Sequence, residues 1–302
     1  MKFYSPKSVQ QFKDYSFEKD FDVLSFENPK PVSMIEFLTS LVCEGNDIVL
    51  DFFAGSSTTA NAVFKYNSDN HRHVRFILVQ LNEQLDKILK TTTGRSKTFA
   101  ASMIKFLNEI NKPHFLTEIG KERIRKAGEI IKNELKATYD EYQQKQQSLI
   151  EDIEQSPMNP DDLDIGFKVL KLDTSNIRKW QPDYDNLEQS LLDYVENYVE
   201  GRTELDVVYE IMLKYGLDLA YPVDEFTIAN KKVYSIGFGM LMICLDNEIT
   251  TDIAKGILSK VKELAPETTR VVFKDNGFKT DSNKTNIKEI LKSGGIEEFI
   301  TL

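Results

Sequence analysis

Cysteine and histidine are scarce in this chain of 302 residues. Cys43 and Cys244 are the only cysteines, which excludes a disulfide framework and a zinc site built from thiolates. Each is therefore predicted to be a small, buried apolar residue. His71, His73 and His114 are scattered and have no carboxylate or cysteine at ligand spacing, so the sequence predicts no metal site.

Long apolar runs and an excess of basic residues are also missing. The longest apolar stretch, 236–245, is well short of the ~20 residues of a membrane span, and the charged first residues do not form a signal peptide. We therefore expect a cytoplasmic protein. The formal charge is -10, whereas a domain that binds nucleic acid by itself is usually basic. If DNA is a substrate, we expect most of its phosphate contacts to come from elsewhere.

The apolar pattern after Pro29 and Pro31 predicts a β-α-β unit. A first helix is indicated by apolar residues at helical spacing, namely Met34, Phe37, Leu38, Leu41 and Val42. A strand is then predicted at 48–53, a helix at 57–66 and a second strand at 75–81. Both strands are apolar and rich in β-branched residues, which is typical of neighbours in a parallel sheet that is buried on both faces.

Further along the chain, composition separates a connector from a second domain. Residues 117–155 have no proline and many Glu, Lys and Gln residues, which predicts one or two long amphipathic helices, either a solvated spacer or a surface for a helical partner. Residues 156–164 have the composition of a linker. Strands are then predicted at 166–173, 226–237, 239–246 and 269–275, the second and third forming a hairpin, and helices near 187–199, 204–215, 252–264 and 284–292. The predicted domains are 1–116, a connector and linker at 117–164, and a mixed α/β domain at 165–302.

The turn between the first predicted strand and the next helix has the composition of a ligand-binding loop. The strand ends at Asp51, and small residues around Gly55 lead into the helix. Such a turn presents main-chain N–H groups and the positive end of the helix dipole, which together bind the polar part of a nucleotide-like cofactor. Gly55 supplies the freedom in φ that the bend needs, and the first hydroxyl residues after it can cap the helix. Turns of this kind are common in α/β proteins, so the turn alone identifies no ligand.

The longer segments around this turn resemble a known family. NPKPVSMIEFLTSLVCEGNDIVLDFFAGSSTTANAVFKYN, followed by HVRFILVQLNEQ, is similar to the S-adenosylmethionine-binding segment of β-class amino-methylating DNA methyltransferases. It most resembles the modification (Mod) subunit of type III restriction-modification systems. The resemblance continues through LTEIGKERIRKAGEIIKNE to VVFKDNGFKTDSNKTNIKEIL and covers nearly the whole chain. It implies an α/β fold with a partial Rossmann-like methyltransferase domain, a long helical connector and a second mixed α/β domain that supports assembly.

The resemblance also assigns residues to the cofactor, S-adenosyl-L-methionine. Lys30 and Pro31 match the segment against the methionine end of the cofactor, and the turn matches the loop that cradles it. The residues implied to bind the cofactor are Lys30, Pro31, Asp51, Phe53, Ala54, Gly55, Ser56, Ser57, Thr58, Thr59 and Gln80. Two of them depart from the family. Ser57 replaces the second turn glycine, a small replacement that is expected to fit, with crowding of the cofactor as the alternative if a positive φ is required there. Gln80 replaces the acid that commonly binds the ribose, with Glu83 as the alternative.

The catalytic loop of this family is not found in the 302 residues. In the family, an Asp/Asn-Pro-Pro-aromatic tetrapeptide holds a flipped base and accepts hydrogen bonds from its amine. The segments 159–162 (NPDD) and 181–184 (QPDY) lack the second proline, and we interpret them as a linker and a turn. Because the loop and the target-recognition region precede the Lys-Pro segment in this class, the chain is expected to be a carboxyl-terminal portion of a Mod subunit. The missing amino-terminal half would carry the contacts with double-stranded DNA, and a restriction subunit and a second modification subunit are the implied protein partners.

Three functional hypotheses follow. The chain is the cofactor-binding and assembly portion of a site-specific adenine-N6 DNA methyltransferase, an assembly module that binds only partner subunits, or a small-molecule methyltransferase with an unfamiliar catalytic site. Residues 1–115 alone would leave a sheet edge and an apolar flank exposed, so we expect this domain to be weakly folded alone or completed by a separate piece. In the second domain, Lys274, Lys279 and Lys284 are candidates for phosphate contacts, against a solvated loop and helix start.

Overall fold

A computed structural model describes residues 30–147, 156–178 and 198–302 of the chain. The chain divides into two units, the first ending at Phe167 and the second beginning at Lys168. Within the described ranges, none of the helices has both the length and the apolar character needed to cross a bilayer. Each unit is described separately below.

The first unit contains the predicted β-α-β arrangement. Its elements are α1 (Val32–Val42), β1 (Ile48–Asp51), α2 (Thr58–Asn70), β2 (Arg75–Leu78), α3 (Leu85–Thr91), α4 (Gly94–Glu109) and α5 (Leu116–Gln147). β1 and β2 pair in parallel, with Ile48 opposite Arg75 and Asp51 opposite Leu78. Both strands end earlier than predicted, and in β1 the reason is that the chain bends immediately after Asp51. α2 continues beyond the predicted end at Tyr66.

Helix α2 is the centre of the first unit's core. Ala60 and Phe64 pack against Ile124 and Ile131 of α5, and the ring of Phe64 meets that of Phe76 of β2 edge-on at 5.5 Å. On another side of α2, a smaller cluster consists of Cys43, Val63, Tyr66 and Val74. α2 therefore packs against β1, β2, α1 and α5. This packing fixes the position of its amino-terminal end, where the turn after β1 enters the helix.

The β1–β2 sheet has one covered face and one bare face. Val49, Phe76 and Leu78 point toward the core around α2, whereas the alternate residues Ile48, Leu50 and Ile77 are exposed. Exposure continues along α1, with the apolar side chains Leu38, Leu41 and Val42. Parallel sheets are almost always covered on both faces, so a bare face of this kind is a candidate contact surface.

Helix α5 and the linker-like segment pack within the first unit. The first five turns of α5 carry a buried stripe at helical spacing, namely Ile119, Gly120, Arg123, Ile124, Ala127, Gly128, Ile131 and Leu135. Met158 and Leu163 of the segment 156–164 are buried in the same cluster. NPDD, predicted to be part of a linker, forms a turn in which Asn159 accepts from the N–H groups of Asp161 and Asp162. The amino-terminal half of α5, through Leu135, is thus packed in the core of the first unit and is not a solvated spacer. The predicted continuation of the helix through 148–155 lies outside the described residues, as does QPDY.

The second unit is a mixed α/β fold, as predicted. Its elements are α6 (Glu204–Lys214), β3 (Val223–Ile228), β4 (Lys231–Ile236), β5 (Leu241–Cys244), α7 (Thr251–Leu264), β6 (Arg270–Phe273), α8 (Asp281–Ser293) and β7 (Glu298–Thr301). The strands lie in sequence order, antiparallel from β3 to β5 and parallel from β5 to β7. One face of the sheet packs against α7 and α8, and the other packs against α6.

Two strand predictions for the second unit are wrong. The run 166–173 forms no strand, and Leu172 in it is 99% exposed. The run 226–237 is two strands rather than one, since Ala229 and Asn230 both adopt positive φ angles (49° and 60°) and make a two-residue hairpin turn. The predicted helix near 187–199 falls almost entirely outside the described residues. Both cysteines are buried, as predicted.

Candidate functional site

The turn after β1 is tied at both ends to β2. The N–H of Val79 donates to the carbonyl of Asp51 at 2.8 Å, and the N–H of Ala54 donates back to the carbonyl of Val79 at 3.1 Å. The chain therefore leaves the sheet at its carboxyl edge without losing contact with the neighbouring strand. Such an edge is where ligands bind in open α/β sheets.

Asp51 uses both of its carboxylate oxygens to brace the turn. Oδ1 accepts from the N–H of Phe53 at 3.1 Å, and Oδ2 accepts from the hydroxyl of Thr59 at 2.7 Å. The first contact starts the bend, and the second joins the end of β1 to the first turn of α2. Asp51 acts here as an internal clamp between strand and helix.

Gly55 and Ser57 both adopt left-handed backbone conformations, with φ angles of 50° and 59°. A positive φ is therefore needed at the position where the family has its second glycine, and Ser57 adopts it, which costs on the order of 1–2 kcal/mol for an L-residue. The N–H of Ser57 donates to the carbonyl of Ala54 at 2.6 Å and closes the bend. Among the residues that the structure describes, a β-carbon on Gly55 would meet only the carbonyl oxygen of Phe53, at 3.6 Å, so with respect to these residues this side of the turn is open.

The hydroxyl residues of the turn face inward. Ser56, Ser57, Thr58 and Thr59 are all buried, and the hydroxyls of Ser56 and Thr58 share a hydrogen bond of 2.8 Å. The prediction that one of them caps α2 with its side chain is wrong for Ser57, which holds the N-cap position without such a bond. What remains accessible is the outer side of the turn, where the ring of Phe53 is 87% exposed.

Gln80 also supports the turn. Its side-chain oxygen accepts from the N–H of Gly55 at 2.7 Å, and its amide nitrogen donates to the carbonyl of Leu81 at 3.3 Å. A carbonyl oxygen has two lone pairs, so one acceptor site remains after the bond to Gly55. Glu83, the alternative, lies exposed beyond the end of β2.

Lys30 and Pro31 lie at the start of α1. The carbonyl of Pro31 accepts from the N–H of Met34 at 3.2 Å and opens the helix, and Lys30 is exposed beside it. α1 packs along α2, which is the helix that leaves the turn. Lys30 and Pro31 therefore precede a helix that packs along α2, and α2 begins directly after the turn.

Sequence reasoning missed two residues of α5 that form the back of the turn. Arg123 is only 4% exposed, and its Nη1 donates to the carbonyl of Ser56 at 3.0 Å. Burial lowers the pKa of Arg123 to about 10, which still leaves it charged at neutral pH. One turn earlier, Gly120 lies so close to Ser57 that a β-carbon on it would be 2.6 Å from the Ser57 hydroxyl. Two sequence signals could have pointed to these residues, namely their place in the periodic stripe of the helix and their place in the segment that resembles the family. KERIRK by itself resembles a solvated helix face.

The lysines considered for phosphate contacts in the second unit have different environments. Lys274 is buried, with its Nζ 3.2 Å from Oδ1 of Asn247, and Lys284 forms an ion pair with Asp275. Only Lys279 is exposed, in the loop before Thr280 caps α8. The geometry favours the solvated loop and helix start over a phosphate site.

Comparison with known proteins connects the turn to DNA methylation. Residues 5–91 match the family model N6_N4_Mtase, described as DNA methylase. The chain is 27% identical over 287 residues to the type III restriction-modification enzyme EcoP15I Mod subunit of Escherichia coli, an alignment that covers 92% of this chain and 35% of that protein. It is 44% identical over 62 residues to the EcoPI Mod subunit of Escherichia phage P1, covering 20% of this chain and 10% of the relative. The StyLTI Mod subunit of Salmonella typhimurium is 38% identical over 60 residues, covering 20% of this chain and 9% of the relative. The chain thus spans about a third of the length of the EcoP15I Mod subunit.

Proposed function

We propose that this chain is the S-adenosylmethionine-binding and assembly portion of a site-specific, adenine-N6 DNA methyltransferase of the type III restriction-modification kind. The observation that carries the proposal is the turn after β1. It combines two left-handed residues, an open main-chain surface at Gly55 and a helix amino terminus, within the segment that matches the DNA methylase family. The similarity to three Mod subunits supports the type III assignment.

The residues of the turn fit the proposed cofactor. S-adenosylmethionine has an aromatic base, a ribose and an amino-acid tail, and it supplies an activated methyl group when bound. Phe53 offers an exposed ring for apolar contact with it, and Gly55 lets a ligand approach the main chain. Gln80 retains one acceptor site for a ribose hydroxyl. Ser57, whose hydroxyl lies against α5, keeps its side chain away from the open side.

We further propose that the catalytic loop and most DNA contacts come from outside these 302 residues. No Asp/Asn-Pro-Pro-aromatic sequence occurs in them, and the net charge is -10, which is unfavourable for binding DNA without a basic partner. The bare face of the β1–β2 sheet, with Leu50 and Ile77, provides a surface that further strands or helices of the methyltransferase could cover. A restriction subunit and a second modification subunit are the proposed assembly partners, and double-stranded DNA is the proposed substrate.

An alternative is an assembly module that binds partner subunits and neither cofactor nor DNA. The favouring observation is that the side chains of the turn are largely engaged with each other. Both oxygens of Asp51 are in use, and the hydroxyls of Ser56 and Thr58 bond to one another. On this alternative the turn is only a tightly packed connection between β1 and α2.

Isothermal titration of the full chain with S-adenosylmethionine separates the two. We expect saturable binding that S-adenosylhomocysteine competes for, and about tenfold or more weakening in Gly55→Ala, because the added β-carbon strains a left-handed residue and occupies the open surface. Gly45→Ala is the matched control, since Gly45 also has a positive φ (58°), no described residue lies within 4 Å of its β-carbon position, and it lies before β1. A folded chain that gives no binding, or equal effects of both variants, would contradict the proposal.

A second assay tests the reaction. Addition of a polypeptide that carries the Asp-Pro-Pro-Tyr loop should allow transfer of a labelled methyl group to adenine in double-stranded DNA. Methylation of small molecules without that addition would favour the third hypothesis instead.

A further inference from the structure

The amino-terminal turns of α5 form the wall behind the turn between β1 and α2. Gly120 and Arg123 are three residues apart on the helix and therefore lie on the same side of it. Gly120 touches Ser57, and the guanidinium of Arg123 donates to the carbonyl of Ser56, 67 residues earlier in the chain. Two consecutive residues of the turn are thus held by one short stretch of a distant helix.

The turn has a physical need for such support. Its left-handed residues, Gly55 and Ser57, have a conformation that the chain maintains only if surrounding contacts over-determine it. Asp51 and Gln80 restrain the turn from the strand side, through the N–H groups of Phe53 and Gly55. On the side of α5, the bond from Arg123 restrains the carbonyl that lies between the two left-handed residues.

The contact uses a buried, charged donor. A hydrogen bond from a charged group is about twice as strong as a neutral one, and leaving a buried carbonyl without its donor is costly. A guanidinium also keeps a planar, directed donor geometry that a lysine ammonium lacks. An arginine is therefore well suited to fix a peptide carbonyl in one orientation.

We infer that Arg123 is a positioning residue for the cofactor turn: through the Ser56 carbonyl it holds the main chain of residues 55–57 in its binding conformation. Loss of Arg123 should weaken cofactor binding although it removes no group that touches the cofactor. This consequence rests on the proposed function, because it requires that the turn binds the cofactor. Preorganisation of this kind raises affinity by lowering the cost of ordering the site. It also makes the long helix α5 part of the site rather than a connector.

The first test needs no ligand. Amide hydrogen exchange of the full chain, followed by NMR, reports on the N–H groups of Ala54, Gly55 and Ser57, all of which are hydrogen-bonded. We expect Arg123→Ala to speed their exchange by about tenfold or more relative to other amides of the first unit. Arg123→Lys, which keeps a charged donor, should restore part of the protection.

The matched control is Ile131→Ala, in the same buried stripe of α5 two turns further on. This variant removes core packing without touching the turn, so it should raise exchange in α5 and the turn to the same degree. For each variant, the increase in exchange rate of the turn amides is divided by the increase for the α5 amides. If this ratio is no larger in Arg123→Ala than in Ile131→Ala, Arg123 has only a structural role and the inference is wrong.

Titration with S-adenosylmethionine provides the second test. We expect the affinity to fall in the order wild type, Arg123→Lys, Arg123→Ala, while Ile131→Ala stays near the wild type under conditions where it is folded. If the wild type itself does not bind, the proposed function fails, and the exchange experiment still decides whether Arg123 holds the turn. Binding by the wild type with unchanged affinity in Arg123→Ala overturns the inference and leaves the proposed function intact.

Discussion

The close approach of Gly120 to Ser57 gives a prediction that can be worked out from the coordinates. A β-carbon at residue 120 would be 2.6 Å from the Ser57 hydroxyl, 3.8 Å from the Ser57 β-carbon and 3.9 Å from the carbonyl oxygen of Gly55. Only the hydroxyl oxygen is too close. Because Ser57 is buried, its hydroxyl has little space into which to rotate.

The expected free energies follow from this geometry. Overpacking of a buried site costs about 1–3 kcal/mol, and replacing a helix-interior glycine by alanine returns about 0.8–1 kcal/mol. Gly120→Ala should therefore destabilise the first unit by roughly 0–2 kcal/mol, the difference between these terms. In a Ser57→Gly background the obstacle is gone, so the same change should stabilise by about 0.8–1 kcal/mol.

A double-mutant cycle isolates this coupling. Urea unfolding of the wild type, both single variants and the double variant, followed by far-UV circular dichroism, gives the four free energies of unfolding for the transition of the first unit. We expect a coupling energy of about 1–3 kcal/mol, equal to the overpacking that the double variant avoids. A coupling below about 0.5 kcal/mol, the usual error of additivity, would show that the helix and the turn are not in contact as described.

Three further predictions concern ionisation, thiol reactivity and the bare sheet face. The hydrogen bond from Arg202 lowers the pKa of Asp173 to about 2. The stabilisation from this pair is therefore present above the ordinary aspartate pKa and is lost as the pH falls towards 2. In Arg202→Met, an NMR titration should show that the pKa of Asp173 has risen. Burial raises the pKa of the Cys244 thiol to about 11, and both cysteines are buried. We therefore expect that Ellman's reagent at pH 8 reacts rapidly with neither thiol in the native chain and with both thiols in guanidinium. A fast reaction in the native chain would contradict the burial. Leu50→Lys, on the bare face, should change the free energy of unfolding by no more than about 0.5 kcal/mol. Val49→Lys should be more destabilising, because the partly buried Val49 packs against the apolar cluster of Cys43, Val63, Tyr66 and Val74; thermal melts of the two variants compare them directly.

Local sequence signals were sufficient for the elements around the turn. The apolar runs that contain Val49 and Phe76, separated by a helix-length segment, predicted the parallel β-α-β unit that the structure contains. The apolar pattern made the predicted strands too long, because an apolar residue such as Phe53 favours a strand prediction even where the preceding aspartate bends the chain. The run 166–173 was also predicted to be a strand from its apolar residues, and it forms none, because pairing with a neighbouring strand is not encoded in the residues of one run.

The residues that form the candidate site were found only in part. The resemblance to the methyltransferase family pointed to Asp51, Gly55 and Gln80, and the structure brings these three together at the turn. Their cofactor contacts stay predictions. Within the fold, Gln80 accepts directly from the N–H of Gly55, and Asp51 accepts from Phe53 and Thr59. Arg123 and Gly120 were not found, because a charged and a small residue in a polar helix give no local sign of burial.

The sequence by itself determined the order of strand, turn and helix, the need for a small residue at Gly55 and the buried state of the two cysteines. These features depend on residues close together in the chain, on their apolar period and on backbone sterics. The tertiary structure alone decided that Ser57 tolerates a left-handed conformation, that the hydroxyls of the turn face inward and that a buried arginine holds the Ser56 carbonyl. Those outcomes depend on the packing of α5 against a turn more than sixty residues earlier. Contacts between such distant segments arise from the fit of surfaces in three dimensions, which no local pattern encodes.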